Sequence, residues 1–360
     1  MDVFGTRELW SRLKNKDKPL LLYGMGNGAD KIINVLSELG ILPDGVFASD
    51  GFARGNLFHG MKVMSYAEAC ERFGDFIVLI SFGSCLPDVM ANMKKIAAEK
   101  ETYAPDVPVA GDDIFDSDFY LKNEKNIAAA REILADEKSV KVYDEIIKYK
   151  LDGIISHFSV DTEKDAALKT LLYGGYTAYI DLGAYNGDTI KEALTYFPTI
   201  KKITALEPSP RIFKKLEKNA VFDDVLIHLY NFAAWSDGGS ADFIDGAGRN
   251  SQISGESTVQ AHDSRKESVK LAAVDDLCDY TGEKLLIKLD VEGCEAAALD
   301  GMRRVIAEND CDLIVSAYHR SEDIFSLPLK LRKMLPRHDI FIRKHPYVPA
   351  WDINLYIKAK

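Results

Sequence analysis

The sequence lacks the long hydrophobic runs that mark membrane proteins and secreted precursors. No stretch of the 360 residues approaches the roughly 18 consecutive apolar residues of a membrane-spanning helix. The first eight residues contain no apolar segment of the kind that a secretory signal peptide carries. We therefore expect a cytoplasmic protein that has no membrane partner.

Cysteine and positive charge are also scarce. The five cysteines are odd in number and widely spaced, which is typical of reduced thiols and argues against disulfides or a cysteine-ligated metal site. Asp and Glu outnumber Lys and Arg by 56 to 45, which gives a formal net charge of -11. Because nucleic-acid phosphates are bound by clustered positive charge, we expect no nucleic-acid partner.

Strand and helix patterns alternate in two parts of the chain. The hydrophobic content of 47% is typical of a soluble globular protein, and 360 residues suffice for two domains. Each part begins with an apolar strand and a glycine-rich turn, so we predict an α/β fold with two Rossmann-like domains. We place these domains at residues 1–112 and 171–360, joined by a helical segment at 113–170.

The first glycine turn contains Gly24, Gly26 and Gly28, and Asp50 follows Gly28 by twenty-two residues. This spacing fits a turn that holds a phosphate at a helix amino terminus. The domain is too short to hold both halves of a nicotinamide dinucleotide. It resembles the small Rossmann-like domains that precede some sugar-modifying enzymes, which favours a nucleotide or nucleotide-sugar ligand. The alternative is that the glycines only permit close packing of strand and helix.

The helical segment and the second domain follow simple patterns. Ser139 is predicted to cap the middle one of three helices, at residues 122–135, 139–150 and 162–171. The polar stretch 237–268 is predicted as a long loop that covers the substrate. Apolar runs predict a seven-stranded sheet whose last two strands form a hairpin, with strands near residues 178–181, 203–206, 225–231, 285–290, 312–317, 338–342 and 354–358.

The second glycine turn carries an acid where a dinucleotide-binding turn has an apolar residue. Asp181 precedes Gly183 and Gly187, and Glu207 ends the next strand twenty-six positions after Asp181. An acid at the end of the second strand is placed to accept the hydroxyls of a ribose. A carboxylate at Asp181 would repel a pyrophosphate, but it suits a cationic nucleoside without phosphate, such as S-adenosylmethionine.

A third group of polar residues supplies candidates for catalysis. Asp290 and Glu292 follow a predicted buried strand, and His319 follows the next one. Methyl transfer to a hydroxyl needs a proton acceptor, and the pKa of histidine suits this role best, so His319 is the first choice and Asp290 the second. Lys288 is expected to pair with Glu292 or Glu295, or to be solvated. The two acids and the histidine could instead hold Mg²⁺ or Mn²⁺, but without further matching acids we predict no metal.

These motifs resemble the FkbM-type S-adenosylmethionine-dependent methyltransferases over residues 165–360. The resemblance rests on four motifs: Asp181-Leu-Gly-Ala with Gly187-Asp-Thr, Glu207-Pro-Ser-Pro, Ile287-Lys-Leu-Asp290-Val-Glu-Gly293 with Glu295, and Tyr318-His319-Arg320 with Asp323. It implies a class I methyltransferase sheet, S-adenosylmethionine as the cofactor, and O-methylation of a sugar, a glycan precursor or another small molecule. The cofactor-binding residues that it implies are Asp181, Gly183, Ala184, Asn186, Gly187, Glu207 and Pro208, with Asn231, Ala233 and Ala234 near the adenine and Asp290 nearby.

Two other functions stay open from the sequence alone. One is a nucleotide-sugar oxidoreductase or epimerase that uses the first glycine turn. It is disfavoured because the first domain is short and the Tyr-x-x-x-Lys pair typical of such enzymes is missing. The other is a non-catalytic module that binds S-adenosylmethionine.

Overall fold

A computed structural model describes residues 2–3, 6–49, 51–53, 55–245, 252–253 and 265–360. Among these residues, no helix has the length and apolar character needed to cross a membrane. Two α/β units follow each other along the chain, each built on its own sheet.

The amino-terminal sheet has six strands in the order β5-β6-β4-β3-β7-β8. All neighbouring pairs are parallel except β5 with β6. Its central strands are continuous apolar runs because helices cover both faces, which is typical of parallel sheets. The elements of this unit are β1 (Asp2–Val3), β2 (Thr6–Arg7), α1 (Leu9–Lys14), β3 (Leu20–Tyr23), α2 (Asn27–Glu38), β4 (Gly45–Ala48), β5 (Leu57–Phe58), β6 (Met61–Ser65), α3 (Tyr66–Phe73), β7 (Ile77–Ile80), α4 (Pro87–Glu99) and β8 (Glu101–Tyr103).

The helical segment packs against the second sheet. It consists of α5 (Ser117–Glu132), α6 (Glu137–Asp152), a 3-10 helix (Ile155–Val160) and α7 (Lys164–Leu171). The prediction that Ser139 caps α6 is wrong, because Asp136 occupies the cap and accepts from the Ser139 backbone N–H at 2.7 Å. Ser139 lies inside the first turn, where its hydroxyl oxygen accepts from the backbone N–H of Ile342 at 3.1 Å. Asp136 also pairs with Arg343, so α6 is fixed to the last hairpin.

The carboxyl-terminal sheet has the predicted seven strands, in the order β11-β10-β9-β16-β17-β19-β18. Only β19 runs against its neighbours, and it forms the predicted hairpin with β18. The elements are β9 (Ala178–Leu182), α8 (Asp188–Tyr196), β10 (Lys202–Leu206), α9 (Pro210–Asn219), β11 (Leu226–Tyr230), β12 (Phe232–Ala234), β13 (Gly239–Asp245), β14 (Gln252–Ile253), β15 (Arg265–Ala272), α10 (Val274–Leu277), β16 (Lys284–Leu289), α11 (Glu295–Asp300), α12 (Arg303–Glu308), β17 (Asp310–Ser316), α13 (Asp323–Met334), β18 (Asp339–Lys344) and β19 (Ile353–Lys358).

The predicted loop at 237–268 is not a loop throughout. Its two ends form β13 and β15, which pair antiparallel from Gly239 with Leu271 to Asp245 with Arg265. With β12 and β14 they make a separate four-stranded sheet. Alternating polar residues hid these strands because one face of such a ribbon is solvated. Residues 246–251 and 254–264 lie outside the described residues, so the proposed covering role is untested.

The sheet places the ends of three parallel strands at one edge. Leu182 at the end of β9 pairs with Leu206 of β10 on one side and with Leu289 of β16 on the other. The chain leaves β9 between two strands that are reached in opposite directions, and such a switch point forms a crevice outside the carboxyl ends of the strands. Residues directly after these strands therefore lie around this crevice.

The two sheets share one apolar core. A continuous cluster of buried side chains runs from Tyr23 and Val78 in the amino-terminal unit through Tyr143 of α6 to Ile287 and Ile340 in the carboxyl-terminal unit. Burial of this surface holds the units together at roughly 25 cal/mol per Å² of apolar area. No natural gap in packing marks residue 112 or 170, so these domain boundaries stay predictions.

Candidate active site

Asp181 lies beneath the glycine turn. Its carboxylate is fully buried, and Oδ2 accepts from the Thr189 hydroxyl at 2.5 Å. Its other oxygen lies 3.6 Å from Nζ of Lys288, the residue directly opposite in the sheet register. Asp181 therefore positions α8 and Lys288. The expected pairing of Lys288 with Glu292 or Glu295 is wrong, because its ammonium lies between Asp181 and Asp290, at 3.7 Å from the latter.

Close backbone approach explains the glycines of this turn. Gly183 has φ +81°, and a Cβ there would lie 1.9 Å from the carbonyl oxygen of Asp290. Gly187 has φ +89° at the start of α8, where a Cβ would meet Leu216 at 3.3 Å. Non-glycine residues rarely adopt such φ values. The turn therefore brings the ends of β9 and β16 together, which a larger residue at Gly183 would prevent.

Glu207 holds the shape of the second strand end. Its Oε2 accepts from the backbone N–H of Tyr185 at 3.0 Å and Oε1 from that of Ser209 at 2.9 Å. The side-chain amide of Asn231 donates to the carbonyl oxygens of Glu207 and Pro208 at 2.8 and 2.9 Å. The carboxylate is thereby fixed beside the glycine turn, on the strand next to that of Asp181.

A cavity of about 380 Å³ opens above these strand ends, which is within the usual range for small-molecule sites. The crevice between β9 and β10 is thus open and not filled by packed side chains. The predicted site residues that line the cavity are Gly183, Glu207, Pro208, Ala233, Ala234, Asp290 and Glu292. The predicted residues that lie beside or beneath it without lining it are Asp181, Ala184, Asn186, Gly187, Asn231 and His319.

Charges alternate along the cavity floor. Burial lowers the pKa of Lys288, but the carboxylates of Asp181 and Asp290 outweigh burial and raise it, so the ammonium stays charged. Burial would raise the pKa of Asp290, but Lys288 and His319 outweigh it and hold this pKa below its ordinary value. The Tyr318 hydroxyl also donates to Asp290 at 3.2 Å. Asp290 is therefore an ionised carboxylate whose side chain, 33% exposed, faces the cavity.

His319 lies behind these carboxylates and has no exposed surface. Its Nδ1 lies 2.9 Å from Glu295, and its Nε2 lies 3.4 Å from Asp290 and 3.5 Å from Glu292. Burial lowers the pKa of His319, but the three carboxylates outweigh burial and raise it to about 10. The ring therefore sits in surroundings that favour positive charge.

Glu292 reaches the cavity from a strained backbone. Its φ of +53° is unusual for a residue other than glycine, and such strain is concentrated at functional sites. The side chain keeps 29% exposure and faces the cavity. Burial, together with Asp290 and Glu295, raises the pKa of Glu292 to about 8 although His319 opposes the shift.

The amino-terminal unit supplies one wall of the cavity. Cys85 and Val109 line it opposite Tyr347 and Trp351. The loop after β7 meets the last hairpin through paired backbone hydrogen bonds between Ser84 and Val348, at 2.8 and 3.0 Å. The two aromatic rings lie against this loop with centroids 6.0 Å apart. No local signal in the sequence links residues so far apart.

The first glycine turn is packed more tightly. A Cβ on Gly24 would lie 2.7 Å from the Phe82 ring, and one on Gly28 would lie 2.4 Å from the carbonyl oxygen of Ser81. At Gly26 no atom lies within 4 Å of such a Cβ. Asp50, the predicted acid of this site, lies outside the described residues. Nucleotide binding here stays a prediction, and close packing accounts for two of the three glycines.

Comparison with known proteins agrees with this geometry. Residues 181–345 match the family described as methyltransferase FkbM domain. The crystal structure of methyltransferase FkbM from Methylobacillus flagellatus KT is 19% identical and superposes with a TM-score of 0.69, covering 94% of this chain and 90% of that one. At this identity the likeness establishes the fold alone.

A second solved structure is more distant. The precorrin-6y C5,15-methyltransferase from Geobacter metallireducens GS-15 is 14% identical and covers 54% of this chain and 87% of its own, but its TM-score of 0.33 is too low to carry an argument. No curated protein matches the chain. The family match, the seven-stranded sheet and the acid-lined crevice agree. The chain therefore carries an S-adenosylmethionine-dependent methyltransferase domain of the FkbM family over residues 181–345.

Proposed function

We propose that the protein transfers a methyl group to a hydroxyl oxygen of a small molecule such as a sugar or a glycan precursor. The observation that carries this proposal is the single cavity that joins Glu207 at one end to Asp290, Glu292 and an aromatic wall at the other. A methyl donor and an acceptor held in one cavity gain rate from proximity and orientation.

The cofactor end of the cavity fits an adenosine. Glu207 keeps its carboxylate at the end of the second strand, where it can accept hydrogen bonds from ribose hydroxyls. Phe232, Ala233 and Ala234 offer an apolar surface that suits an adenine ring. Asp181, Ala184, Asn186, Gly187 and Asn231 are proposed to support the cofactor indirectly, by shaping the turn and strand ends described above. Gly183 is proposed to present its backbone to the cofactor.

The carboxylates at the end of β16 are proposed to handle the proton. When bound, S-adenosylmethionine supplies a methyl group on a positively charged sulfur, and transfer to a hydroxyl releases one proton. Glu292 and Asp290 face the cavity, whereas His319 does not line it. We therefore propose Glu292 as the first proton acceptor, with Asp290 orienting the acceptor hydroxyl. The sequence-based choice of His319 stays untested, and its burial supports a positioning role through these two carboxylates.

The acceptor end of the cavity supports a hydroxylated ligand. Tyr347 and Trp351 present aromatic faces, on which the apolar face of a sugar ring can pack. Asp352 and Asn354 add polar groups that can bind hydroxyls. The oxidoreductase alternative gains no support from the family match. A non-catalytic module remains the competing explanation, and only turnover separates it from an enzyme.

Calorimetry and a transfer assay test the proposal. We expect purified protein to bind S-adenosylmethionine and to transfer its labelled methyl group to a member of a panel of sugars and nucleotide-sugars. Nuclear magnetic resonance of the product should locate the new methyl on oxygen. Binding without transfer to any acceptor, together with no effect of Glu292→Gln, would favour the non-catalytic module. Transfer to nitrogen or carbon would contradict the O-methylation proposal.

A further inference from the structure

Buried polar atoms without hydrogen-bond partners cluster under the cavity floor. Both ring nitrogens of His319 and Oε2 of Glu295 are buried and make no hydrogen bond. Buried polar atoms in folded proteins are almost always paired, so each exception needs an explanation. Three exceptions at one place point to a ligand that binds them together.

The donor atoms converge as ligands of one ion do. One atom each from Asp290, Glu295 and His319 lies within 4.8 Å of the other two. Nε2 of His319 lies 3.4 Å from Asp290, and Nδ1 lies 2.9 Å from Glu295. Neighbouring ligands of an ion with bonds of about 2.1 Å lie roughly 3.0–3.4 Å apart, as octahedral and tetrahedral angles require. The cluster therefore needs little rearrangement to close around an ion.

The charge of the cluster also favours a cation. Asp290, Glu292 and Glu295 surround a single imidazole, so the group is negative even when His319 is protonated. Buried carboxylates in excess of cations are costly. We propose that Asp290, Glu295 and His319 bind one divalent metal cation. Two carboxylates and one imidazole suit Mn²⁺ or a similar first-row ion better than an all-oxygen site would.

The cation would act at the acceptor end of the cavity, and this part of the inference rests on the proposed function. Asp290 joins the cluster to the cavity, so an acceptor hydroxyl that reaches Asp290 also reaches the ion. A bound cation lowers the pKa of a coordinated oxygen. The hydroxyl proton then passes to Glu292, and the acceptor oxygen forms its bond to the methyl carbon.

A buried ion pair is the competing explanation. Glu295 and a protonated His319 at 2.9 Å could stabilise each other without any metal. The two explanations differ in one measurable property, because only a metal site binds added Mn²⁺ with one-to-one stoichiometry. An ion pair predicts no such binding.

The experiment uses the full-length protein after treatment with EDTA and removal of the chelator. Calorimetry and electron paramagnetic resonance follow titration with Mn²⁺. We expect one Mn²⁺ per chain, and at least a tenfold loss of affinity in Glu295→Gln and in His319→Asn. Glu217→Gln, an exposed carboxylate on α9, serves as the matched control and should bind as wild type does.

Wild-type protein decides the question even if the buried variants fail to fold. Absence of one-to-one Mn²⁺ binding at millimolar concentration, in protein that binds S-adenosylmethionine, would overturn the metal site. Equal affinity in folded Glu295→Gln, His319→Asn and wild type would also overturn it. Full transfer activity after EDTA treatment together with no Mn²⁺ binding removes the cation and leaves the proposed function. Mn²⁺ binding without methyl transfer does the reverse.

Discussion

Gly24 after β3 and Gly183 after β9 occupy corresponding places in two α/β units. Each follows a buried strand that lies between two parallel neighbours, β4 and β7 in the first unit and β10 and β16 in the second. Each turn leads into a helix. What differs is the residue that the neighbouring strand supplies: Phe82 packs on Gly24, whereas Asp290 and its charged neighbours face a cavity beside Gly183.

The comparison shows that glycines alone do not identify a binding site. In both turns they permit close approach of backbone from the next strand, at Ser81 in one and at Asp290 in the other. An aromatic ring that fills the space gives a packed turn, and charged groups that leave it open give a site. Substitutions at matching positions test this distinction.

The largest effect is expected for Gly183→Ala. A Cβ 1.9 Å from a carbonyl oxygen, at positive φ, should cost about 3 kcal/mol or more in free energy of unfolding. S-adenosylmethionine affinity should fall at least about tenfold. Gly28→Ala, with a Cβ 2.4 Å from Ser81, should also destabilise the protein but leave the affinity of the folded fraction unchanged. Urea unfolding and calorimetry measure both, and equal losses of affinity would break the comparison.

Glu292→Gln addresses the charged neighbour that distinguishes the second turn. If this carboxylate accepts the proton, the turnover number should fall by about 10²- to 10⁴-fold. The dissociation constant for S-adenosylmethionine should change little, because Glu292 is proposed to act on the acceptor. The exposed Glu217→Gln on α9 is the control. Unchanged turnover would assign proton transfer to another group.

Glu207→Gln tests the acid at the second strand end. The amide still accepts one backbone hydrogen bond but binds ribose hydroxyls less strongly, since hydrogen bonds to a charged acceptor contribute about 1.5–3 kcal/mol. We therefore expect roughly a tenfold or larger rise in the dissociation constant for S-adenosylmethionine. The turnover number at saturating cofactor should remain close to wild type. Unaltered cofactor affinity would contradict the ribose assignment.

Gly26→Ala in the first turn should have the smallest effect. The position has φ -113° and open space around it, so alanine should cost about 1 kcal/mol or less in stability. If the turn binds a nucleotide phosphate, the added methyl group should weaken nucleotide-sugar binding measured by calorimetry. If wild-type protein binds none, the turn is a packing device and the contrast with Gly183 is complete.

The strands of both sheets could be read from the sequence because each is a buried apolar run closed by a polar or glycine residue. The acids at 181, 207 and 290 could be placed at one edge for the same reason, since parallel strands end at the same edge. The ribbon of β13 and β15 was missed because its polar alternation is also typical of a loop. Lys288 was recognised as unusual, but its partner depends on register between β9 and β16, which no local pattern contains.

The sequence by itself determined the two α/β units, the glycine turns and the order of acids at the strand ends, because these depend on residue type over a few neighbouring positions. Tertiary structure alone decided that Phe82 closes the first turn, that Cys85 and Val109 wall the cavity of the other unit, and that His319 lies beneath its carboxylates. Such contacts join residues distant in the chain. Which of several buried polar groups faces a cavity depends on how whole elements pack, and not on the residues beside it.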